Sequence, residues 1–226
     1  MTNTGTGPGP ITPDGSPVEF YSHLKPGGEP GIVARVTPPG GSVLELGAGV
    51  GRVTHPLVER GFHVVAVDES PEMLARVRGA EAVLARVEDL RLDRRFDTVM
   101  LASQLVNTTD DAVRSALLDT CARHAEPGGA VLIQWMPAER HDQWRAGMGR
   151  VDGDVTIRLA AVEQVSPGIF HATMRYTYGD DKVWTQSFSS RRLTDDDLAA
   201  DLTAAGLRLD RFLTEDRTWV LATPAS

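Results

Sequence analysis

Apolar positions along the chain follow two different rhythms. Between residues 42 and 137, short apolar runs alternate with stretches of helical spacing: SVLEL at 42–46, HVVAV at 63–67, a run at 82–87, FDTVML at 96–101 and AVLIQWMP at 130–137. These runs are β-branched and apolar on both faces, the pattern of strands covered on two sides. The segments between them read as helices over 52–60, from Ser70 and Pro71 onward, and over 111–124, where Val113, Ala116, Leu117 and Cys121 recur at helical spacing. Gly61 stops the first as a C-terminal cap, Pro56 is acceptable in its opening turn, and Thr109 or Asp110 caps the third. Such alternation predicts an α/β fold with a mostly parallel sheet and helices on both faces.

From residue 155 the period changes to two. Val155, Ile157 and Leu159 alternate with Thr156, Arg158 and Ala160; Phe170, Met174, Tyr176 and Tyr178 alternate with polar neighbours; Trp184 and Phe188 do the same. Turn signals SPG (166–168) and GDD (179–181) join these runs into an antiparallel meander. Before it, 138–150 is polar and reads as a linker or irregular helix. After it, LTDDDLAADLTAAG (193–206) is an amphipathic helix capped by Thr194, followed by strands at 207–214 and 218–223. At the other end, residues 1–17 hold Gly, Pro, Thr and Ser with little to bury and are expected to be a flexible tail. VEFYSHL (18–24) and a short helix at 32–36 follow, so 18–226 reads as a single domain with 138–191 as an insert.

Composition narrows the partners. At 226 residues and a formal charge of −8, the chain has no excess of basic residues to hold a phosphate backbone or an anionic membrane, so neither is expected as a partner. A single cysteine, Cys121, excludes an internal disulfide and a cysteine metal cluster, and no carboxylate–histidine cluster has ligand spacing, so no metal is expected. No charged-then-apolar leader and no apolar run of membrane length is seen, and the chain reads as cytoplasmic.

The chemistry centres on residues 42–54, SVLELGAGVGRVT. A strand passes into a helix through glycines at 47, 49 and 51, which tolerate positive φ and let a ligand lie on bare backbone, with amides at the helix start expected to face it. The dinucleotide fingerprint G-x-G-x-x-G would need glycine at 52, where Arg52 stands. Asp68 closes the next strand, where a carboxylate can take both ribose hydroxyls; capping the helix behind it is the alternative, though Ser70 and Pro71 are better caps. Asp68, Glu88, Gln104, Asn107 and Trp135 all fall at carboxyl ends of predicted strands, where open α/β sheets bind ligands.

ELGAGVG, VDESPEML, VEDL, RFDTVMLASQLVN, EPGG and LTDDDLAADLTAAGL, in this order, resemble the class I S-adenosylmethionine (SAM) dependent methyltransferases. The resemblance spans residues 18–223 and implies a Rossmann-like, seven-stranded sheet whose last strand is antiparallel. The insert also makes the chain similar, more weakly, to N-methyltransferases of macrolide amino sugars. The resemblance implies SAM as methyl donor, S-adenosylhomocysteine as product, and a cofactor site formed by Tyr21, Glu45, Gly47, Ala48, Gly49, Arg52, Asp68, Glu69, Met73, Val87, Glu88, Ala102 and Ser103. Arg52 would meet the methionine carboxylate, and Ala102 and Ser103 its ammonium. The family form has an aspartate where this chain has Arg86, so the adenine contact falls to the Val87 and Glu88 backbone, with Glu88 or Asp89 accepting from the exocyclic amine.

The implied activity is methyl transfer to a nitrogen or oxygen of a small-molecule, secondary-metabolite-like acceptor. Family members often place histidine after the fourth strand; Asn107 is there instead, and His141, His171 or Glu163 would replace it, with surface or packing roles as the alternative. Tyr21, His23, Gln104, Asn107, Trp135, Trp144, Arg158 and Tyr176 are the candidate acceptor-binding residues, in a partly apolar setting. The meander has two open uses, covering the catalytic edge or forming a homodimer contact. Rival readings are a catalytically silent SAM-binding subunit and an NAD-dependent oxidoreductase, the latter weakened by the missing glycine.

Overall fold

The computed structural model describes residues 3–225. In chain order the elements are β1 (Thr4–Thr6), α1 (Val18–Tyr21), α2 (Glu29–Val36), β2 (Ser42–Leu46), α3 (Thr54–Glu59), β3 (His63–Asp68), α4 (Pro71–Leu74), β4 (Glu81–Leu84) and β5 (Phe96–Leu101). There follow α5 (Asp111–His124), β6 (Ala125–Gln134), α6 (Ala138–His141), β7 (Gly149–Asp152), β8 (Val155–Ser166), β9 (Ile169–Tyr178), β10 (Lys182–Arg191), α7 (Asp195–Ala204), β11 (Leu207–Phe212) and β12 (Trp219–Pro224). These pack as two compact units. One holds the described residues up to Lys25 with Ala138–Arg192, the other Pro26–Pro137 with the described residues from Leu193 on.

The larger unit is a seven-stranded sheet in the order β11-β12-β6-β5-β2-β3-β4. β2 pairs in parallel with both β3 and β5, β3 with β4 and β5 with β6, while β12 runs antiparallel to β6 and β11. The Rossmann-like class I methyltransferase architecture is therefore present, including its antiparallel last strand. One face packs Leu44, Leu46, Leu101, Leu118, Ile133 and Leu198, and the other packs Val43, Leu57, Met100, Leu132 and Leu221. Each such side chain contributes about 1.5–3 kcal/mol on leaving water, which is why strands apolar on both faces settle in the middle of this sheet. Caps fix the helices: the Ser70 hydroxyl accepts from the Met73 amide, Asp110 accepts from Ala112 and Val113, and Thr194 forms a reciprocal capping box with Asp197.

The strand order reverses direction at β2, whose neighbours β3 and β5 leave to opposite sides. Leu46 is opposite both Val67 and Leu101, so the chain beyond β2 emerges between the carboxyl ends of two strands. That is the place where an open α/β sheet leaves a crevice.

The smaller unit is a five-stranded antiparallel sheet, β1-β10-β9-β8-β7, so the inserted meander is present and gains a strand at each edge. Phe20 of α1 stacks on Tyr176 (4.4 Å, 15°) and packs beside Trp184. The flexible-tail expectation for residues 1–17 needs correction, apart from residues 1 and 2, which lie outside the described residues. Thr4–Thr6 pair with β10, the Trp184 indole donates to the Pro8 carbonyl at 2.7 Å, and a Cβ on Gly7 would stand 2.3 Å from Trp184 Cδ1. The segment is held by backbone pairing and by glycine's close approach, neither of which a count of apolar residues registers.

Smaller differences have local causes. EPGG does not precede the fifth strand but lies within it, as a bulge between Phe96 and Thr98 pairings at which Gly128 takes φ +81°. α3 starts at Thr54 rather than at residue 52, because the turns that hold positive-φ Gly49 and Gly51 run on through Val53. Of the linker and irregular helix expected over 138–150, the structure holds a short helix, α6, and then the start of β7.

Candidate functional site

The glycine loop after β2 is shaped by what it bonds to. Gly47, Gly49 and Gly51 have φ of +76°, +57° and +84°, a region where side chains bearing Cβ are strained. The amides of Gly47 and Ala48 both donate to the Val67 carbonyl (2.9 Å each), and the Gly49 amide donates to Asp68 Oδ2 (2.8 Å). The Gly51 amide donates to Ala48 O. The Gly47, Ala48, Gly49 and Gly51 amides thus turn inward to β3 and to the loop itself, and the helix begins only at Thr54. What the loop offers is a strip of Cα atoms without side chains.

Acids from two strands frame that strip. Asp68, at the end of β3, also accepts from the Ser70 amide through Oδ1 at 2.9 Å. Glu45 of β2 is buried and accepts from the Thr54 hydroxyl at 2.6 Å. Burial pushes its carboxyl up to about 7, with Thr54 and Arg52 opposing the shift and Glu29 and Asp68 adding to it. Arg52 donates to Glu29 Oε1 at 2.8 Å, which anchors the guanidinium from α2. Burial raises the Glu29 pKa while Arg52 lowers it, and the net value is below that of an ordinary glutamate.

On the opposite side stands the turn after β5. Ala102 is buried, and Ser103 and Gln104 are consecutive residues with φ of +56° and +59°. A Cβ on Gly47 would come 2.9 Å from Leu105 Cδ1, so this turn presses against the glycine loop. Met73 closes another side, its sulfur 3.8 Å from the Cβ position of Gly49. The structure thus brings together Glu45, Gly47, Ala48, Gly49, Arg52, Asp68, Met73, Ala102 and Ser103 at one sheet edge. Beyond β4, Val87 is buried with its carbonyl accepting from Thr120, Glu88 accepts from Arg86 Nε at 2.9 Å, and Glu69 adds to the acidic field that raises the Arg86 pKa, behind Glu88.

Several acceptor and catalytic expectations meet a different setting. Asn107 is 2% exposed, donates to the Met136 carbonyl (3.1 Å) and accepts from the Met136 amide (2.8 Å), so it clasps backbone rather than facing a reacting group. Trp135 is fully buried, with its indole N–H given to Arg217 O at 2.6 Å, and is core. Tyr176 is likewise core in the smaller unit: its hydroxyl donates to Gln186 at 2.8 Å, and burial drives its pKa well above 10. Both aromatics end or line a strand, and periodicity does not separate a ligand-facing ring from a packed one.

The remaining predicted residues lie in the smaller unit as three groups. Tyr21 packs edge-on to Phe20, and His23 stacks on Tyr178 at 3.7 Å. His141 stacks on Phe170 and touches Trp144, is buried with neither ring nitrogen bonded, and has its pKa lowered to about 4 by burial. His171 shares a hydrogen bond with Ser189 at 3.2 Å, and Arg158 is exposed opposite Arg175. Glu29, Thr54 and Gln134 were missed. Gln134 ends a strand as the other candidates do, and that same rule would have found it; Glu29 carries no such signal.

Comparison with known proteins fits this architecture. A family model described as "Methyltransferase domain" matches residues 43–129. An uncharacterized methyltransferase of Mycobacterium tuberculosis, Rv3342, is 34% identical over 148 residues, covering 62% of this chain and 60% of that protein. The cypemycin N-terminal methyltransferase of a Streptomyces species is 36% identical over 146 residues, covering 58% and 59%. The chain thus spans about three-fifths of the length of the curated relatives it matches. A solved structure of the glycopeptide N-methyltransferase MtfA, complexed with SAM, superposes with a TM-score of 0.62 at 25% identity over 92% of this chain and 91% of that one. On fold, loop and match together, the chain is similar to the class I SAM-dependent methyltransferases, whose domain residues 43–129 match.

Proposed function

We propose that this protein is a SAM-dependent methyltransferase acting on a small-molecule or short-peptide acceptor of the natural-product kind, and that the attacked atom is an amine nitrogen. The observation that carries the cofactor reading is the inward turn of the glycine-loop amides. A pyrophosphate needs such N–H groups pointing outward; a neutral adenosyl group needs only bare backbone and a carboxylate for its ribose. The loop therefore suits SAM better than NAD, and Arg52 lies in the position that already placed glycine-fingerprint binding in doubt.

In this reading Asp68 takes the ribose hydroxyls, Met73 and Val87 flank the adenine, and Arg52, steadied by Glu29, takes the methionine carboxylate. When bound, SAM supplies an electrophilic methyl on a sulfonium. The acceptor nitrogen forms the new N–CH3 bond as the S–CH3 bond breaks, and the proton then lost from nitrogen goes to solvent.

Nitrogen is favoured over oxygen for a chemical reason. A neutral amine attacks with its own lone pair, whereas a hydroxyl needs a base, and Asn107 is committed to Met136. The cypemycin enzyme is named as an N-terminal methyltransferase and MtfA as a glycopeptide N-methyltransferase, which supports the same choice. Calorimetry with S-adenosylhomocysteine and, separately, with NAD tests the cofactor: binding of the first and not the second is expected, and the reverse overturns the reading. Transfer of labelled methyl to amine but not hydroxyl analogues of one scaffold tests the acceptor.

A further inference from the structure

We infer that Gln134 is a positioning residue for the amino-acid end of the cofactor, acting through the Ser103–Gln104 turn; the inference rests on the SAM reading above. The turn is unusual in its backbone. Ser103 and Gln104 are successive non-glycine residues in the left-handed region, at φ +56° and +59°. Such a conformation survives only where its surroundings over-determine it, and it gathers at binding sites.

Register explains where the turn lies. Leu101 of β5 is opposite Leu46 of β2, so Ala102 and Ser103 continue beside Gly47, the first glycine of the loop. On its other side Leu101 is opposite Ile133 of β6, so Gln134 continues beside Ala102. From there the Gln134 side chain reaches across, and its Oε1 accepts from the Ser103 amide at 2.8 Å. This bond pins the first of the two strained residues. Leu105, just beyond them, fills the space against Gly47 that a Cβ would need.

The consequence is a chain of contacts from the end of β6, through a strained turn, to the wall of the glycine loop. Ser103 is exposed, so without Gln134 its amide would bond to water and the turn would lose the bond that holds it left-handed. The backbone of Ala102 and Ser103, assigned to the methionine ammonium, would then sample other orientations. Gln134 touches neither the acceptor nor the methyl group in this account; it acts on cofactor affinity.

Three variants of the full chain separate this from a general packing role, with affinity for S-adenosylhomocysteine read by calorimetry and stability by thermal melting. Gln134→Ala should weaken binding five- to twentyfold with little change in melting temperature. Gln134→Glu retains an oxygen that accepts from the Ser103 amide and should bind within about twofold of the parent. Ser103→Gly, which adopts positive φ without strain, should recover part of the loss when combined with Gln134→Ala. The inference is overturned if Gln134→Ala binds like the parent, if the Glu variant falls as far as the Ala variant, or if affinity falls only in step with melting temperature. Failure of the parent chain itself to bind S-adenosylhomocysteine would instead sink the SAM reading.

Discussion

The Gly49 amide donates to Asp68 Oδ2 at 2.8 Å, so the carboxylate that ends one strand anchors the loop that follows its neighbour. Asp68 fixes the glycine loop through one oxygen and the Ser70 amide through the other, and in the proposed reading its carboxylate also takes the ribose hydroxyls. Replacing it with Ala should weaken S-adenosylhomocysteine binding at least tenfold, about 1.4 kcal/mol or more. Asp68→Asn keeps one acceptor and should lose less. Unchanged affinity of the Ala variant in a calorimeter would remove Asp68 from the site.

Glu45 carries a pH signature. Burial lifts its carboxyl from 4.5 to about 7, so the native state favours the protonated acid. The stability associated with that proton is complete below pH 4.5 and is lost as pH rises to 7. Glu45→Gln, which keeps an oxygen for the Thr54 hydroxyl, should therefore be more stable than the parent at pH 8 by about 1–3 kcal/mol and no more stable at pH 4.5. Melting curves at the two pH values decide it; an equal difference at both would show that ionisation of Glu45 is not what costs stability.

His141 has the opposite sign. Its ring is buried against Phe170 and Trp144, and burial lowers its pKa from 6.5 to about 4, with Asp142 opposing and Arg192 adding. The neutral ring is the form the fold accommodates, so its contribution is complete above pH 6.5 and is lost as pH falls towards 4. His141→Phe keeps an aromatic ring in the stack and removes the proton site. Between pH 7 and pH 4.5 this variant should lose about 1–2 kcal/mol less stability than the parent, and parallel losses in the two proteins would contradict the burial account.

Much of this was readable in the chain beforehand, for reasons that particular residues make plain. β-branched runs such as HVVAV can only be covered strands, and Ser70, Asp110 and Thr194 cap helices where their chemistry says they should. Glycine positions marked the loop, but not the direction of its amides, because that depends on Val67 and Asp68 of another strand. Trp135, Tyr176 and Asn107 look available in sequence, since aromatic and amide side chains at strand ends serve packing and binding alike. Only partners distant in the chain, Arg217, Gln186 and Met136, reveal that they are taken. The pairing of Thr4–Thr6 was hidden for a related reason: it depends on the edge of β10, far along the chain.

Asn107 yields the clearest test between a chemical and a structural role. Its amide makes two hydrogen bonds to the Met136 backbone while 98% of its surface is covered, as its 2% exposure implies, joining the segment after β5 to the segment after β6. Asn107→Ala would leave the part-buried N–H and C=O of Met136 without these partners, at a cost of about 1–3 kcal/mol. Asn107→Asp still accepts from the Met136 amide but no longer donates to the Met136 carbonyl, and should lie between the two in urea unfolding midpoint. If methyl transfer were instead to collapse in both variants while their midpoints stayed at the parent value, the side chain would have to be acting on the reacting groups, and the assignment of Asn107 to the scaffold would fall.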